Sequence, residues 1–342
     1  MTVEELKSIQ LYRQHLTAPA ELRAAARDVL GVQAQFLGNA LHALRIRCGA
    51  FDDTEAERGL VKSWTLRGTL HLFDPADLPL FLHEGRTHFL RPCDTMESDG
   101  RLSAARKRYF ADVIAEAVGE GACEREALRA ACRAAGMTAD EEESAFNAWG
   151  GLIRALCENG TLCHRAGARK EYALCPPFEP MKKQEAEREL LRRYFAAFGP
   201  ATVCDAAYFF GFTQKTVKAA LDALPVEAIG CGGRERFYTG DISQSAGIPD
   251  CLFLAGFDQL LLGYQKTESL YLPPEHLRAV FSRAGIVAPT VLLHGRVVGK
   301  WKRERKRLLV TPFETLSAQE RRSVGRAAAA LWGDIPVAFA EK

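Results

Sequence analysis

Residues 182–239 constrain the fold most. KQEAERELLRRYFAAF, residues 183–198, is an amphipathic stretch whose Leu190, Leu191, Tyr194, Phe195 and Phe198 fall on one helical face. Gly199-Pro200 must stop it. A short helix is expected over 202–210, a turn at Gly211 and another helix over 213–224, with Gln214, Lys215 and Lys218 on its outer side. VEAIGCGGRERFYT, residues 226–239, then reads as a glycine-turned hairpin. Helix, helix, turn, helix and hairpin is the order of a winged helix.

A similar order recurs upstream. Thr2 and Glu5 form a capping box for a helix over 2–16, and a second helix runs from Pro19 to Leu30, where Gly31 ends it. SWTLRGTLHLF, residues 63–73, reads as strand. Further helices are expected over 103–119, 124–135 and 140–159. TLCHRAGARKEYALC, residues 161–175, then reads as two short strands around a basic Ala-Gly-Ala turn. From Ser243 prolines punctuate short apolar runs, which points to strands, and Ser317 with Glu320 caps a last helix over 317–331. The fold class is therefore mainly α with β, tandem winged-helix units followed by a β-rich C-terminal domain. The expected boundaries are 1–75, 76–180, 181–242 and 243–342.

The chain has 342 residues and a formal net charge of +2, so any nucleic-acid surface must come from local charge. Ten cysteines show no CxxC spacing and read as small buried thiols in a reducing compartment. The polar N-terminus and the absence of a long apolar run point to a cytoplasmic protein without a membrane span. No histidine pair has metal-ligand spacing, and neither a metal nor a cofactor is expected. GxSxG, the Walker A loop, GxGxxG and HExxH are all missing.

Gln33-Ala34-Gln35 stands out. On a helix the two glutamines would splay, whereas in an extended segment residues i and i+2 point the same way. Two carboxamides on one side can hold a water between donors and acceptors; an exposed turn would carry the same residues. GKWKRERKR, residues 299–307, holds six basic residues and one acid. Its Lys300, Lys302, Arg303 and Arg305 suit phosphate contacts, or else guard a solvated edge strand. His164, Arg165, Arg169 and Lys170 surround a hairpin tip thin enough for a minor groove. On a strand, Arg67, Thr69 and His71 would share a face and line a cleft, or serve structure alone.

GVQAQFLGNALHALRIR at 31–47 resembles the QxQ region of the AlkZ/YcaQ-type winged-helix alkylpurine DNA glycosylases. WTLRGTLHLF at 64–73, IRALCENGTLC at 153–163, FDQLLLGYQ at 257–265 and HGRVVGKWKRE at 294–304 fit the same pattern in the same order. The resemblance implies tandem winged helices plus a C-terminal β domain, with Gln33 and Gln35 as the catalytic pair. Gln rather than Asp at position 35 places the chain nearer AlkZ-like members. The implied reaction is hydrolysis of the N-glycosidic bond of N7- or N3-alkylated purines, bulky or crosslinked ones included, in duplex DNA. With no lysine in the motif the enzyme is expected to be monofunctional, and three units in one chain favour a monomer clasping one duplex, cytoplasmic and nucleoid-associated when bound to DNA. The alternative is a non-catalytic winged-helix DNA-binding protein or regulator.

Overall fold

Both capping boxes form. The Thr2 N–H donates to Glu5 Oε2 at 2.7 Å and Thr2 Oγ1 accepts the Glu5 N–H, starting the helix Val3–Arg13. Ser317 and Glu320 repeat the arrangement at the start of Ala318–Trp332. Each box satisfies two backbone donors that a helix start leaves open. The computed structural model describes residues 1–49, 51–86, 88–167 and 169–340. Ala168, in the expected basic turn, lies outside the described residues. The chain divides into two compact units, Met1–Phe51 with Arg188–Lys342, and Asp52–Glu187.

In the first unit, helices Val3–Arg13, Leu22–Asp28 and Leu37–Cys48 flank the two-residue strand Val32–Gln33. The amphipathic helix Lys183–Ala197 turns Leu190, Leu191, Tyr194 and Phe195 inward, with Phe198 just past its end, and none of these is more than 2% exposed. Tyr194 and Phe198 stack with ring centroids 5.0 Å apart. Helices Val203–Phe210 and Gln214–Leu221 follow, then a hairpin pairing Glu227–Cys231 with Arg234–Tyr238. Its turn glycines, Gly232 and Gly233, have φ of +63° and +72°, the left-handed conformation that a two-residue hairpin turn of this twist requires.

The C-terminal part of this unit is a five-stranded sheet. Its order is Val337–Phe339, Arg307–Pro312, Arg296–Glu304, Thr290–Leu293 and Cys251–Leu254. Pairing is antiparallel except between Arg307–Pro312 and Val337–Phe339. Val324 and Ala328 of the helix Ala318–Trp332 join Phe253, Val291, Leu308 and Val310 in its core. The strand of the basic run is thus interior rather than an edge. It pairs on both sides, and its last residues project with the partner strand as a hairpin whose ladder closes at Glu304 and Arg307.

In the second unit Val61–Trp64 pairs with Leu70–Phe73 and with Leu162–His164, which pairs with Tyr172–Leu174. Helices Ala104–Gly119, Arg125–Ala134, Ala139–Ala145 and Leu152–Glu158 accompany these strands. Phe110, Ile114, Leu128, Leu152, Ile153, Leu156 and Tyr172 form the core. Two expectations are corrected. Residues 63–73 are not one strand but part of a hairpin turning at Leu66–Gly68, where Arg67 has φ +57°. The expected helix over 140–159 is two helices broken at Gly150-Gly151. Gly151 has φ +66°, and a Cβ there would lie 2.3 Å from the Ala145 carbonyl oxygen, so the break requires glycine. Among the described residues, no helix is long and apolar enough to cross a membrane.

Candidate active site

Val32 and Ala34 are buried, Gln33 is half-buried and Gln35 is exposed. Burial thus follows the two-residue period of extended backbone, with Gln33 and Gln35 at the less buried positions. A bend at 35–36 then delivers the chain to the helix Leu37–Cys48, with Phe36 at its N-cap.

One turn, residues 256–259, holds this segment in place. Gln259, fully buried, donates through Nε2 to the carbonyl of Gly31, immediately before the strand. Asp258 accepts two hydrogen bonds from Arg47, Nη1 to Oδ2 at 3.0 Å and Nη2 to Oδ1 at 2.7 Å, and neither side chain has any solvent exposure. Phe257 lies under Phe36, with centroids 6.0 Å apart and planes at 24°. Gly256 makes the approach possible, because a Cβ there would come within 2.5 Å of Asn39 Nδ2. At the other end of the helix's buried face, His42 Nε2 lies 2.7 Å from the Phe253 carbonyl oxygen. The FDQLLLGYQ stretch thus contains the support for the glutamine pair. Its local pattern shows only an Asp N-cap, and the pairing with Arg47 spans more than two hundred residues.

The expected cleft face of Arg67, Thr69 and His71 is corrected. The left-handed turn at Arg67 breaks strand alternation, and the Thr69 hydroxyl donates to the Leu66 carbonyl at 3.1 Å. His71 is wholly buried, its Nδ1 2.9 Å from Thr65 Oγ1 and 3.1 Å from the Thr69 carbonyl oxygen. Burial, aided by the charge of Arg67, pulls its pKa down to about 3, so it stays neutral and lines no cleft.

His164 is likewise corrected as a DNA contact. It is buried between Trp64 and Tyr172, and burial with the nearby charges of Lys62 and Lys170 lowers its pKa to about 3. Arg165, Arg169 and Lys170 are exposed. Arg165 lies 3.7 Å from Glu171, and Gly167 packs close to the Glu57 carboxylate, so acids accompany this tip. In the C-terminal hairpin Lys300 is half-buried, and Lys302, Arg303 and Arg305 are exposed. Lys302 Nζ lies 2.9 Å from Glu304, which also binds Arg307 at 2.6 Å. Arg303 and Arg305 have no salt bridge among the described residues. Gln214, Lys215 and Lys218 are exposed as expected. Trp301 is a packing residue whose Nε1 donates to the Leu254 carbonyl at 2.9 Å.

Sequence reasoning missed a cleft of about 470 Å³ in the first unit, lined by Arg13, Arg27, Arg192, Arg193 and Asp28. Its arginines are scattered along the chain and converge only in space. Glu275, His276 and Glu314 bring ligand-type atoms within 4.8 Å of one another. Arg296 Nη2 lies 3.3 Å from Glu314 and 3.6 Å from Glu275, which already supplies the positive charge there.

Helices and hairpins followed by a C-terminal β sheet carry the glutamine pair on a segment clamped by a distant turn. The family model for DNA glycosylase AlkZ-like proteins matches residues 26–333. The chain belongs to this family and is a DNA glycosylase. It is 29% identical to the interstrand DNA cross-link repair glycosylase of Streptomyces sahachiroi, over 84% of this chain and 85% of that one. Among solved structures it is similar to the Streptomyces sahachiroi DNA glycosylase AlkZ, with a TM-score of 0.81 at 23% identity, covering 99% of this chain and all of that one.

Proposed function

We propose that the chain hydrolyses the N-glycosidic bond of N7- or N3-alkylated purines in duplex DNA, with Gln33 and Gln35 orienting the attacking water. The observation that carries this reading is half-buried Gln33 and exposed Gln35 flanking buried Ala34, on a segment pinned by Gln259 and by the Arg47–Asp258 pair. A purine alkylated at N7 is a cation, and loss of the base leaves it neutral. Such a leaving group needs little acid catalysis. The remaining demands are a placed water and stabilisation of a cationic sugar, which preorganised amide dipoles supply. Amides are poor bases, so an undamaged purine with its worse leaving group is spared. No lysine lies in the motif to form a Schiff base, and the product is an abasic site in an unbroken strand.

The relative that acts in interstrand cross-link repair supports bulky and crosslinked purines as substrates. Duplex contacts fall to Arg165, Arg169 and Lys170, and to Lys300, Lys302, Arg303 and Arg305. We assign winged-helix units to 1–75, 76–180 and 181–242 and the β-rich domain to 243–342, acting as a monomer on DNA in the cytoplasm. The test is incubation of the full chain with a duplex carrying one N7-methylguanine, scoring abasic sites by alkaline cleavage. Abasic sites without prior strand scission are expected. No release from methylated, bulky or crosslinked duplexes overturns the proposal.

A further inference from the structure

We propose that Phe36, seated on Phe257, is an aromatic platform on which a cationic purine of the DNA stacks beside Gln35. The inference rests on the glycosylase reading above and deepens it by assigning selectivity to a residue outside the glutamine pair.

Phe36 is 51% exposed although it is large and apolar. A singly exposed apolar residue is ordinary, but this one is held in a particular attitude. Its backbone is fixed as the N-cap of the helix Leu37–Cys48, with φ −117° and ψ 106°, and its side chain makes no cap hydrogen bond. The ring lies over Phe257, which is only 7% exposed. That contact engages part of the Phe36 surface and leaves about half of the residue open to solvent.

The support beneath is built at a cost. Phe257 has φ +60°, the left-handed region that residues bearing a Cβ rarely occupy. The strain is held by its surroundings: Asp258 on Arg47, Gln259 on the Gly31 carbonyl, and the Phe257 N–H donating to the Val287 carbonyl at 3.3 Å. Backbone strain maintained next to an exposed ring points to a positioned surface.

The occupant follows from chemistry. Phe36 directly follows Gln35, with a Cα one peptide unit, about 3.8 Å, away. The bend at 35–36 interrupts the alternation and leaves both Gln35 and Phe36 exposed, so a base whose glycosidic bond Gln35 addresses is placed beside the ring. Purines have large π faces, and base–aromatic stacking is indifferent to sequence. An alkylated purine is also positively charged, and the negative face of an aromatic ring attracts a cation. Phe36 thereby favours the damaged base over its neutral parent before any bond breaks, a discrimination the carboxamides supply only during bond breaking.

The test uses the full chain with Phe36→Leu, which keeps apolar packing but loses the π face, and Phe36→Trp, which keeps the face. Single-turnover excision of N7-methylguanine from a duplex, run across protein concentrations, separates half-saturation from maximal rate. Phe36→Leu is expected to raise the half-saturating concentration about tenfold with little change in maximal rate, and Phe36→Trp to stay near wild type. A second readout needs no catalysis. In Phe36→Trp the added emission, taken relative to wild type, is expected to be quenched when the N7-methylguanine duplex binds, and less by the undamaged duplex. Quenching without excision would keep the platform and overturn N7-alkylated purines as the substrate. Excision with an unchanged half-saturation in Phe36→Leu and no quenching in Phe36→Trp would overturn the platform. If Phe36→Leu does not fold, the Trp emission alone decides.

Discussion

Replacing Asp258 with alanine strips the buried pin from the turn beneath the glutamine pair. Arg47 and Asp258 make two hydrogen bonds, at 3.0 and 2.7 Å, with no solvent on either side chain. Removing one partner of such a pair costs about 3–5 kcal/mol, because the other charge is left stranded in the interior. Asp258 also caps the helix Gln259–Leu262 by accepting the Leu260 N–H at 2.9 Å, and its loss adds about 1 kcal/mol. The expected loss is about 4–6 kcal/mol. At about 2–4 °C per kcal/mol for a unit of this size, the melting temperature of the first unit falls by at least about 8 °C. Circular dichroism during thermal and urea unfolding measures it. Asp258→Asn keeps a cap but not the charge and is expected to fall between wild type and Asp258→Ala. The double variant Arg47→Met/Asp258→Leu is expected to recover most of the loss, because apolar replacement of a whole buried pair is often close to neutral. A loss under about 1 kcal/mol in Asp258→Ala would refute the reasoning, since Arg47 would then be satisfied without its partner.

His71 and His164 are buried neutral, with pKa values lowered to about 3. The unfolded chain binds protons near pH 6.5 and the folded one does not, so stability is full above pH 6.5 and is lost as pH falls. Each histidine should contribute about 1.4 kcal/mol per pH unit well below pH 6.5, and His164→Phe should flatten the decline measured by urea unfolding between pH 6.5 and 5; an unchanged slope would contradict its burial as a neutral group. Alanine at Lys302, Arg303 and Arg305 together should lower the slope of log binding constant against log salt, by about 0.9 for each phosphate no longer neutralised, in a titration with undamaged duplex. An unchanged slope would make that hairpin a solvated projection.

Local physics made much of this legible. The Thr2/Glu5 and Ser317/Glu320 boxes, the apolar face around Leu190 and Tyr194, and the Gly232-Gly233 turn are short-range signals, and the structure follows them. The burial of Ala34 between half-buried Gln33 and exposed Gln35 matches the two-residue period of extended chain. What stayed hidden depends on distant partners. His71 and His164 look like surface polar residues until the strands around them close over. The turn at Arg67 was masked by strand-forming neighbours, with Gly68 its one hint, whereas Gly150-Gly151 was a readable break inside a helix-like run. Phe257 and Asp258 belong to a stretch that looks like a helix start. Their role emerges only when Phe36 and Arg47, more than two hundred residues earlier, are beside them.

The glutamine pair is tested most directly by single-turnover excision of N7-methylguanine from duplex DNA, comparing wild type with Gln33→Ala and Gln35→Ala beside a binding titration at the same salt. Loss of one water-orienting group should remove about 2–4 kcal/mol of transition-state stabilisation, roughly a 30- to 900-fold slower step. Gln35→Ala is expected to show that loss, Gln33→Ala a smaller one, and both are expected to bind duplex nearly as wild type does. Excision at the wild-type rate by both variants would contradict a catalytic role for the pair.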